Sequence, residues 1–149
     1  EANSLEWWVC DLWGHHGLQR MVKDLNGIYS SHPALWQLDS DPAGFRWINA
    51  DDAGGNTYSW VRTDRDGRHV AAIVNFSSEP WTRYRIGLPE AGAWKEIFNS
   101  DSGIYDGSDA HGNLGQVEAT DEGWNGFPAS ALVVVPPLGA VFFEHVPGE

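Results

Sequence analysis

Three residues of the kinds found in nucleophilic catalytic triads lie close together in the second half of the chain: Ser108, Asp109 and His111. In such a triad a histidine takes the proton of the serine hydroxyl, and a carboxylate orients the histidine. The nucleophilic serine of an α/β-hydrolase lies in a Gly-x-Ser-x-Gly turn, and no such turn surrounds Ser108. We therefore expect a polar loop here and assign no catalytic residue.

Pairs of closely spaced aspartates could supply the two carboxyl groups that glycoside hydrolysis requires. Each pair falls in a predicted turn, where aspartate commonly bonds its own backbone, and none lies in a visibly apolar setting. We therefore expect solvated turns; the segment 64–67 also lacks the remaining ligands of a calcium loop. The pairs are Asp39 with Asp41, Asp51 with Asp52, and Asp64 with Asp66.

Other motifs with chemical potential are equally weak. His15 and His16 are adjacent on a predicted helix, so their side chains diverge, and no His-Glu-x-x-His spacing exists to hold a metal ion. The glycines between 107 and 115 do not match a phosphate-binding loop, because no lysine follows them. Asn75-Phe76-Ser77 fits the glycosylation pattern but ends a strand that we expect to be buried. We predict no metal site and no cofactor.

Nine tryptophans are the strongest anomaly of the composition. Indole rings can stack on the apolar faces of sugars, so a carbohydrate-binding surface is one interpretation; the alternative is that the tryptophans fill the core. Trp47, Trp60 and Trp94 lie in predicted strands, and we expect them to be packed. Trp36, Trp81 and Trp124 lie in or beside connections. They are the candidates for exposure and for binding carbohydrate.

The elements that position these residues are mainly β-strands. The longest apolar run of the first half predicts a strand at His69–Ser77, covered on both faces in the middle of a sheet. Short strands without helices between them favour an antiparallel β-sandwich, and the loop Ser100–Gly115 is long enough to form an ordered excursion. The other strands are predicted at Phe45–Ala50, Thr57–Thr63, Thr82–Leu88, Trp94–Asn99, Gln116–Ala119, Ala131–Val135 and Ala140–His145.

One amphipathic helix precedes the strands, at His16–Ser30, and Pro33 helps to end it. Residues 1–14 are expected to be irregular, although they carry Trp7, Trp8 and Trp13. A free terminus rarely carries so much apolar surface, so we expect this segment and the helix to face a partner.

Composition narrows the function further. The 149 residues suit one domain, and 21 acidic residues against 9 lysines and arginines give a net charge of −12, which repels nucleic acids and anionic lipids. Cys10 is a lone cysteine, no apolar stretch could span a membrane, and nothing at the start of the sequence resembles a signal peptide, so we expect a soluble protein. The chain begins at Glu1 and its only methionine is Met21. We infer a piece of a longer polypeptide.

Several motifs lie in order along nearly the whole chain: Ser4–Trp7, Gly17–Asn26, Pro33–Leu35, Asp41-Pro42, Gly44–Ile48, Val74–Phe76, Tyr84–Pro89, Asn99–Asp101, Tyr105–Ser108, Gly112-Asn113, Trp124, Ser130 and Pro136–Leu138. Together they resemble the C-terminal end of bacterial 1,4-α-glucan (glycogen) branching enzymes, which belong to the α-amylase superfamily. Another glucan-acting member of that superfamily, such as a maltosyltransferase, fits the motifs of the second half less well.

The resemblance implies a domain division. Residues 1–38 would be the last loop and helix of a catalytic barrel, and residues 39–149 the C-terminal all-β sandwich. In the family the parent enzyme is a cytoplasmic transferase of glycogen biosynthesis, which passes a cut α-1,4-glucan chain through a covalent intermediate to a 6-hydroxyl. Its catalytic carboxylates lie upstream, and no position here matches them. This piece would then be non-catalytic: it would support its own upstream barrel or, alternatively, bind glucan through Trp36, Trp81 and Trp124.

Overall fold

A computed structural model of the protein describes Ser4 and residues 6–148; Leu5, part of the first motif, lies outside these residues. The fold is mainly β, as predicted, with every predicted strand present and each strand end within two residues of its predicted position. Residues 7–11, expected to be irregular, form a short 3-10 helix. The helix α1 is His15–Ser31, and the strands are β1 Phe45–Asp52, β2 Thr57–Thr63, β3 His69–Asn75, β4 Trp81–Leu88, β5 Gly92–Asn99, β6 Gln116–Ala119, β7 Ala129–Val135 and β8 Gly139–His145.

The strands form two antiparallel sheets, which confirms the predicted sandwich. The larger sheet has the order β1-β2-β3-β8-β5-β6, and the smaller one pairs β4 with β7. The apolar strand β3 lies between β2 and β8, and its segment Val70–Ile73 is buried. The expectation of a central strand covered on both faces is therefore confirmed.

The core lies between the inner face of the larger sheet and the smaller sheet. Trp94 and Phe143 are fully buried in it, beside Leu88 of β4 and Val135 of β7. Truncating such an aromatic side chain to alanine typically costs about 3–5 kcal/mol. Among the described residues, no member of this core comes from α1, so the sheets are stabilised by their own packing.

Two of the predicted solvated aspartates are in fact structural. Asp64 is 3% exposed and accepts hydrogen bonds from the Asp66 and Arg68 amides and from Arg68 Nε. Asp52 is half-buried and accepts bonds from Gly55 N, Thr57 Oγ1 and Tyr84 Oη. The expected hydrogen bonds to the backbone of each turn are present. The expectation of solvation is wrong for Asp64 and for Asp52 Oδ2, which accepts bonds from Thr57 and Tyr84. Burial alone would raise the pKa of both carboxyl groups; the hydrogen bonds outweigh it and lower them.

Candidate functional site

The residues of the apparent triad are not arranged as a triad. The Ser108 hydroxyl donates to Asp101 Oδ2 at 2.7 Å, and His111 Nδ1 lies 3.0 Å from the same oxygen. Asp109 instead accepts from the amide of Gly103. Because serine and histidine share one carboxylate and do not bond each other, the geometry lacks the pair of nucleophile and base. The cluster orders the loop Ser100–Gly115, as predicted for an ordered excursion.

The remaining motifs have structural explanations. His15 and His16 are exposed at the start of α1, and the described residues contain no group of three histidines, cysteines or carboxylates suited to a metal ion. Asn75 is 1% exposed, and its amide donates to the carbonyl oxygens of Glu79 and Pro136. A glycan could not be attached there in the folded chain.

The three predicted glucan-binding tryptophans lie on separate parts of the surface. Trp36, Trp81 and Trp124 are 40%, 36% and 46% exposed. Trp36 follows the 3-10 turn beside β2 and β3, whereas Trp81 begins β4 and Trp124 lies against Gly87 near its other end. Six residues of strand separate the last two positions by about 20 Å. The structure therefore does not bring the three rings into one site.

Trp81 and Trp124 also differ in their surroundings. The Trp81 indole donates to the carbonyl oxygen of Gly55 at 3.0 Å, so it fixes the turn between β1 and β2. The Arg85 guanidinium lies 5.4 Å from the Trp124 ring centroid and pairs with Glu122 at 2.5 Å. A ring flanked by a cation and a carboxylate offers stacking and hydrogen bonds together, so Trp124 is the better suited of the two to a sugar.

A row of exposed aromatic rings follows the outer face of β1 and β2 and ends at the residue directly after β3. The sequence analysis did not predict this row. We call Phe45, Trp47, Tyr58 and Phe76 the aromatic row; their exposures range from 37% to 53%. Consecutive ring centroids are 5.0 Å, 6.1 Å and 5.8 Å apart. The expectation that Trp47 is packed is wrong, since it is 50% exposed, while Trp94 is fully buried as expected.

The row stays exposed because α1, which lies over the outer face of the larger sheet, ends its contact beside the row. Phe45 and Trp47 share one face of β1 through the two-residue alternation of a strand, and Trp47 pairs across with Trp60 of β2. Trp60 is half-buried in a groove of about 370 Å³, whose other walls include Leu25 and Tyr29 of α1. The helix thus covers the sheet as far as Trp60. An alternating aromatic pair in the edge strand was the signal available in the sequence, but it does not say which face α1 covers.

Comparison with known proteins adds an independent finding. The family model "Alpha amylase, C-terminal all-beta domain" matches residues 47–146. Proteins named 1,4-alpha-glucan branching enzyme GlgB are similar to the chain: that of Cutibacterium acnes is 55% identical over 148 residues, covering 99% of this chain and 23% of that protein.

The same name belongs to similar proteins of Leifsonia xyli and Mycobacterium tuberculosis. The first is 46% identical over 144 residues, covering 97% of this chain and 20% of that protein. The second is 47% identical over 143 residues, covering 95% of this chain and 19% of that protein. The chain thus spans about a fifth of the length of the curated relatives it matches. The resemblance drawn from the motifs is confirmed.

The structure also bears on membranes: none of the helices in the described part of the chain has the length and apolar character needed for a transmembrane span.

Proposed function

Because this chain belongs to the α-amylase C-terminal all-β domain family, we propose that it is the C-terminal part of a glycogen branching enzyme. Such an enzyme cuts α-1,4-glucan chains and transfers them to 6-hydroxyls to form α-1,6 branches. The observation that carries the proposal is the 55% identity over 99% of the chain to a protein named for that activity. The family match alone would also suit other glucan-acting members of the superfamily, and the names of the relatives favour the branching enzyme. We place the parent enzyme in the cytoplasm, as the resemblance implies.

We propose further that this part is not catalytic. A glycoside-cleaving pair needs one carboxyl group with a raised pKa to act as the acid. Asp52, Asp64 and Asp101 are instead held by several hydrogen bonds that, against the effect of burial, lower their pKa values. This is the environment of structural carboxylates.

The test of both statements is a branching assay on amylose. The longer polypeptide that carries this chain should shift the iodine absorbance of amylose and create α-1,6 linkages, whereas the 149-residue chain alone should do neither. A longer polypeptide without branching activity would overturn the first proposal. Branching by the chain alone would overturn the second.

We propose that residues 1–38 belong to the catalytic barrel and residues 39–149 form the C-terminal sandwich, which supports it. Leu18, Val22 and Tyr29 form an apolar stripe on α1 that is about half exposed, and Trp7 and Trp13 before it are more exposed still. Contiguous apolar surface of this kind marks an interface. The partner that we propose for it is the barrel upstream.

Self-association tests this role, because the isolated chain leaves the stripe uncovered. We expect the 149-residue chain to dimerise or aggregate at micromolar concentration in sedimentation velocity, and the double variant Leu18→Glu, Val22→Glu to remain monomeric. Lys23→Glu, exposed on another face of α1, is the matched control and should associate like the wild type. A monomeric wild-type chain whose first 33 residues resist proteolysis would contradict the proposal.

A second candidate function, glucan binding, is favoured by the aromatic row. The rings of Phe45, Trp47, Tyr58 and Phe76 form a continuous exposed strip on which the apolar faces of successive sugars could stack. The Tyr58 hydroxyl has no hydrogen-bond partner among the described residues and is free to bond a sugar hydroxyl. These contacts make the row a better candidate than the three separate tryptophans predicted from the sequence.

Affinity electrophoresis through gels with and without glycogen tests this function. The wild-type chain should be retarded by glycogen, and Trp47→Ala or Tyr58→Ala should remove most of the retardation. Trp36→Ala is the matched control, since it removes an exposed indole outside the row. Retardation that depends on Trp36, Trp81 or Trp124 instead would move the site to the tryptophans predicted from the sequence. Unchanged mobility of the wild type would leave the domain with the supporting role alone.

A further inference from the structure

The helix α1 is attached to the sandwich without contributing to the hydrophobic core. Within α1, all of which is described, Gly17 is the only fully buried residue. No residue of α1 belongs to the described hydrophobic core. The 17 residues of α1 include two glycines and no alanine, so the helix is marginal on its own in water and contacts other than core packing must hold it.

One of these contacts is a carboxylate supplied by the loop Ser100–Gly115. Asp106 Oδ2 accepts hydrogen bonds from the amides of Gly14 and Gly17, both at 3.0 Å. Gly14 is the N-cap of α1 and has no side chain to cap the helix, and the first turn contains no acidic residue. Asp106 therefore caps the helix from about 90 residues further along the chain. Its charge complements the positive end of the helix dipole.

Gly17 makes this approach possible. A Cβ atom at position 17 would lie 2.3 Å from the Tyr105 carbonyl oxygen and 2.5 Å from Asp106 Oδ2. No side chain fits at this position unless the loop moves away from the helix. The first turn of α1 and the loop are thus in direct backbone contact.

A second bond secures the loop further along the helix. The Tyr105 hydroxyl donates to Asp24 Oδ2 at 3.1 Å. Partial burial, reinforced by this bond to a carboxylate, raises the pKa of Tyr105 to about 12. The phenol therefore stays protonated and able to donate over the whole working range of pH.

The loop itself is fixed to the sandwich. Asp101, which follows β5, accepts bonds from Ser108 and from the backbone and side chain of His111. Asn99 of β5 also donates to the His111 carbonyl oxygen at 2.7 Å. The loop is therefore a rigid extension of the sheet and can impose a position on α1.

We infer that Asp106 and Gly17 form a lock between this loop and α1, and that opening the lock releases α1 as a unit while both sheets remain folded. Local opening in contiguous units of this kind is common where a segment contributes little to the core. The inference does not depend on the proposed function. It adds that the loop sets the orientation of the apolar stripe of α1 relative to the sandwich.

Two variants open the lock from opposite sides, and a third is their control. Asp106→Gly removes the carboxylate without backbone strain, because Asp106 has a left-handed backbone with φ 62° that glycine adopts readily. Gly17→Ala places a methyl group against the Tyr105 carbonyl. Gly27→Ala is the matched control on the same helix, since its added Cβ would meet no described atom within 4 Å apart from the neighbouring residues and the backbone of α1 itself.

The measurement is hydrogen exchange of the 149-residue chain, followed by peptide at a dilution where it is monomeric. We expect exchange in α1 to become roughly five- to thirtyfold faster in Asp106→Gly and in Gly17→Ala, the effect of losing a helix cap. Peptides of β3, β5 and β8 should exchange as in the wild type. Gly27→Ala should slow exchange in α1, because alanine favours the helix.

Asp106→Gly decides the outcome even if Gly17→Ala fails to fold. Unchanged exchange of α1 in Asp106→Gly would show that the carboxylate does not hold the helix and would overturn the inference. Exchange that accelerates in α1 and in the strands together would also overturn it, since the helix would then unfold with the sheets and not separately.

Discussion

Tyr84 of β4 joins the two sheets through its hydroxyl group, and removing this group should weaken the sandwich in a pH-dependent way. The hydroxyl donates to Asp52 Oδ2 at 2.6 Å and lies 2.8 Å from Thr57 Oγ1. Asp52 ends β1 and Thr57 begins β2, whereas Tyr84 belongs to the smaller sheet. The substitution Tyr84→Phe removes the hydroxyl and keeps the ring.

The expected loss follows from the charge on Asp52. A hydrogen bond to an ionised group contributes about 1.5–3 kcal/mol, more than a bond between neutral groups. We therefore expect Tyr84→Phe to lower the free energy of unfolding at pH 7 by about 2 kcal/mol, equivalent to a melting temperature lower by about 4–8 °C in a chain of this size. Burial and the bond to Asp52 raise the pKa of Tyr84 to about 12, so the phenol remains a donor at pH 7.

The loss should shrink in acid. The pKa of Asp52 is lowered in the folded chain, because its hydrogen bonds outweigh the effect of burial. A carboxyl group of this kind contributes its stability above the unfolded pKa of about 3.9 and loses it as the pH falls through the lower folded value. The difference between wild type and Tyr84→Phe should therefore be complete above about pH 5 and decline below about pH 4.

Urea unfolding followed by tryptophan fluorescence measures this difference from pH 7 down to pH 2.5. Tyr58→Phe is the matched control, since that hydroxyl has no partner among the described residues, and it should leave the free energy of unfolding within about 0.5 kcal/mol of the wild type. A difference for Tyr84→Phe that is the same at pH 7 and pH 2.5 would refute the role of the Asp52 charge. An equal loss in Tyr58→Phe would refute the assignment to this bond.

Other changes test single features of the fold. Ser59→Ala should raise the melting temperature by a few degrees, because the buried Ser59 hydroxyl has no partner within the described residues and is costly to desolvate. Asp101→Ala should make the loop Ser100–Gly115 the first site of limited proteolysis while circular dichroism reports unchanged sheets, since it removes four hydrogen bonds within that loop. Trp94→Ala should lower the free energy of unfolding by about 3–5 kcal/mol in urea, because the indole is fully buried.

The strands and the helix were predictable because their signals are local. Alternation, β-branched runs and turn residues depend only on neighbours in sequence, and they located every strand from β1 to β8. The central place of β3 followed from its unbroken apolar run, since only a strand covered on both faces tolerates one. These features required no knowledge of the tertiary structure.

The structural roles of Asp52 and Asp106 were not predictable, because their decisive partners are distant in the chain. Asp52 resembles any turn aspartate in sequence. It links the two sheets only because the Tyr84 hydroxyl of β4 donates a hydrogen bond to it. Asp106 likewise lies in a glycine-rich loop, and nothing in the sequence connects it with Gly14 and Gly17. The family motifs in this loop and its length predicted that it would be ordered. Its role in holding α1 depends on a contact that forms only in the folded chain.

The tryptophans show most clearly where sequence reasoning reaches its limit. Trp47 and Trp94 both lie in strands with alternating neighbours, yet the first is 50% exposed and the second is fully buried. Alternation establishes that a side chain points to one face of a sheet, but it does not say which face is covered. Trp94 points into the space between the sheets, whereas Trp47 points outward from the edge strand β1. The helix cover ends at Trp60, one strand short of Trp47, so the same pattern yields a core residue in one case and a candidate binding surface in the other.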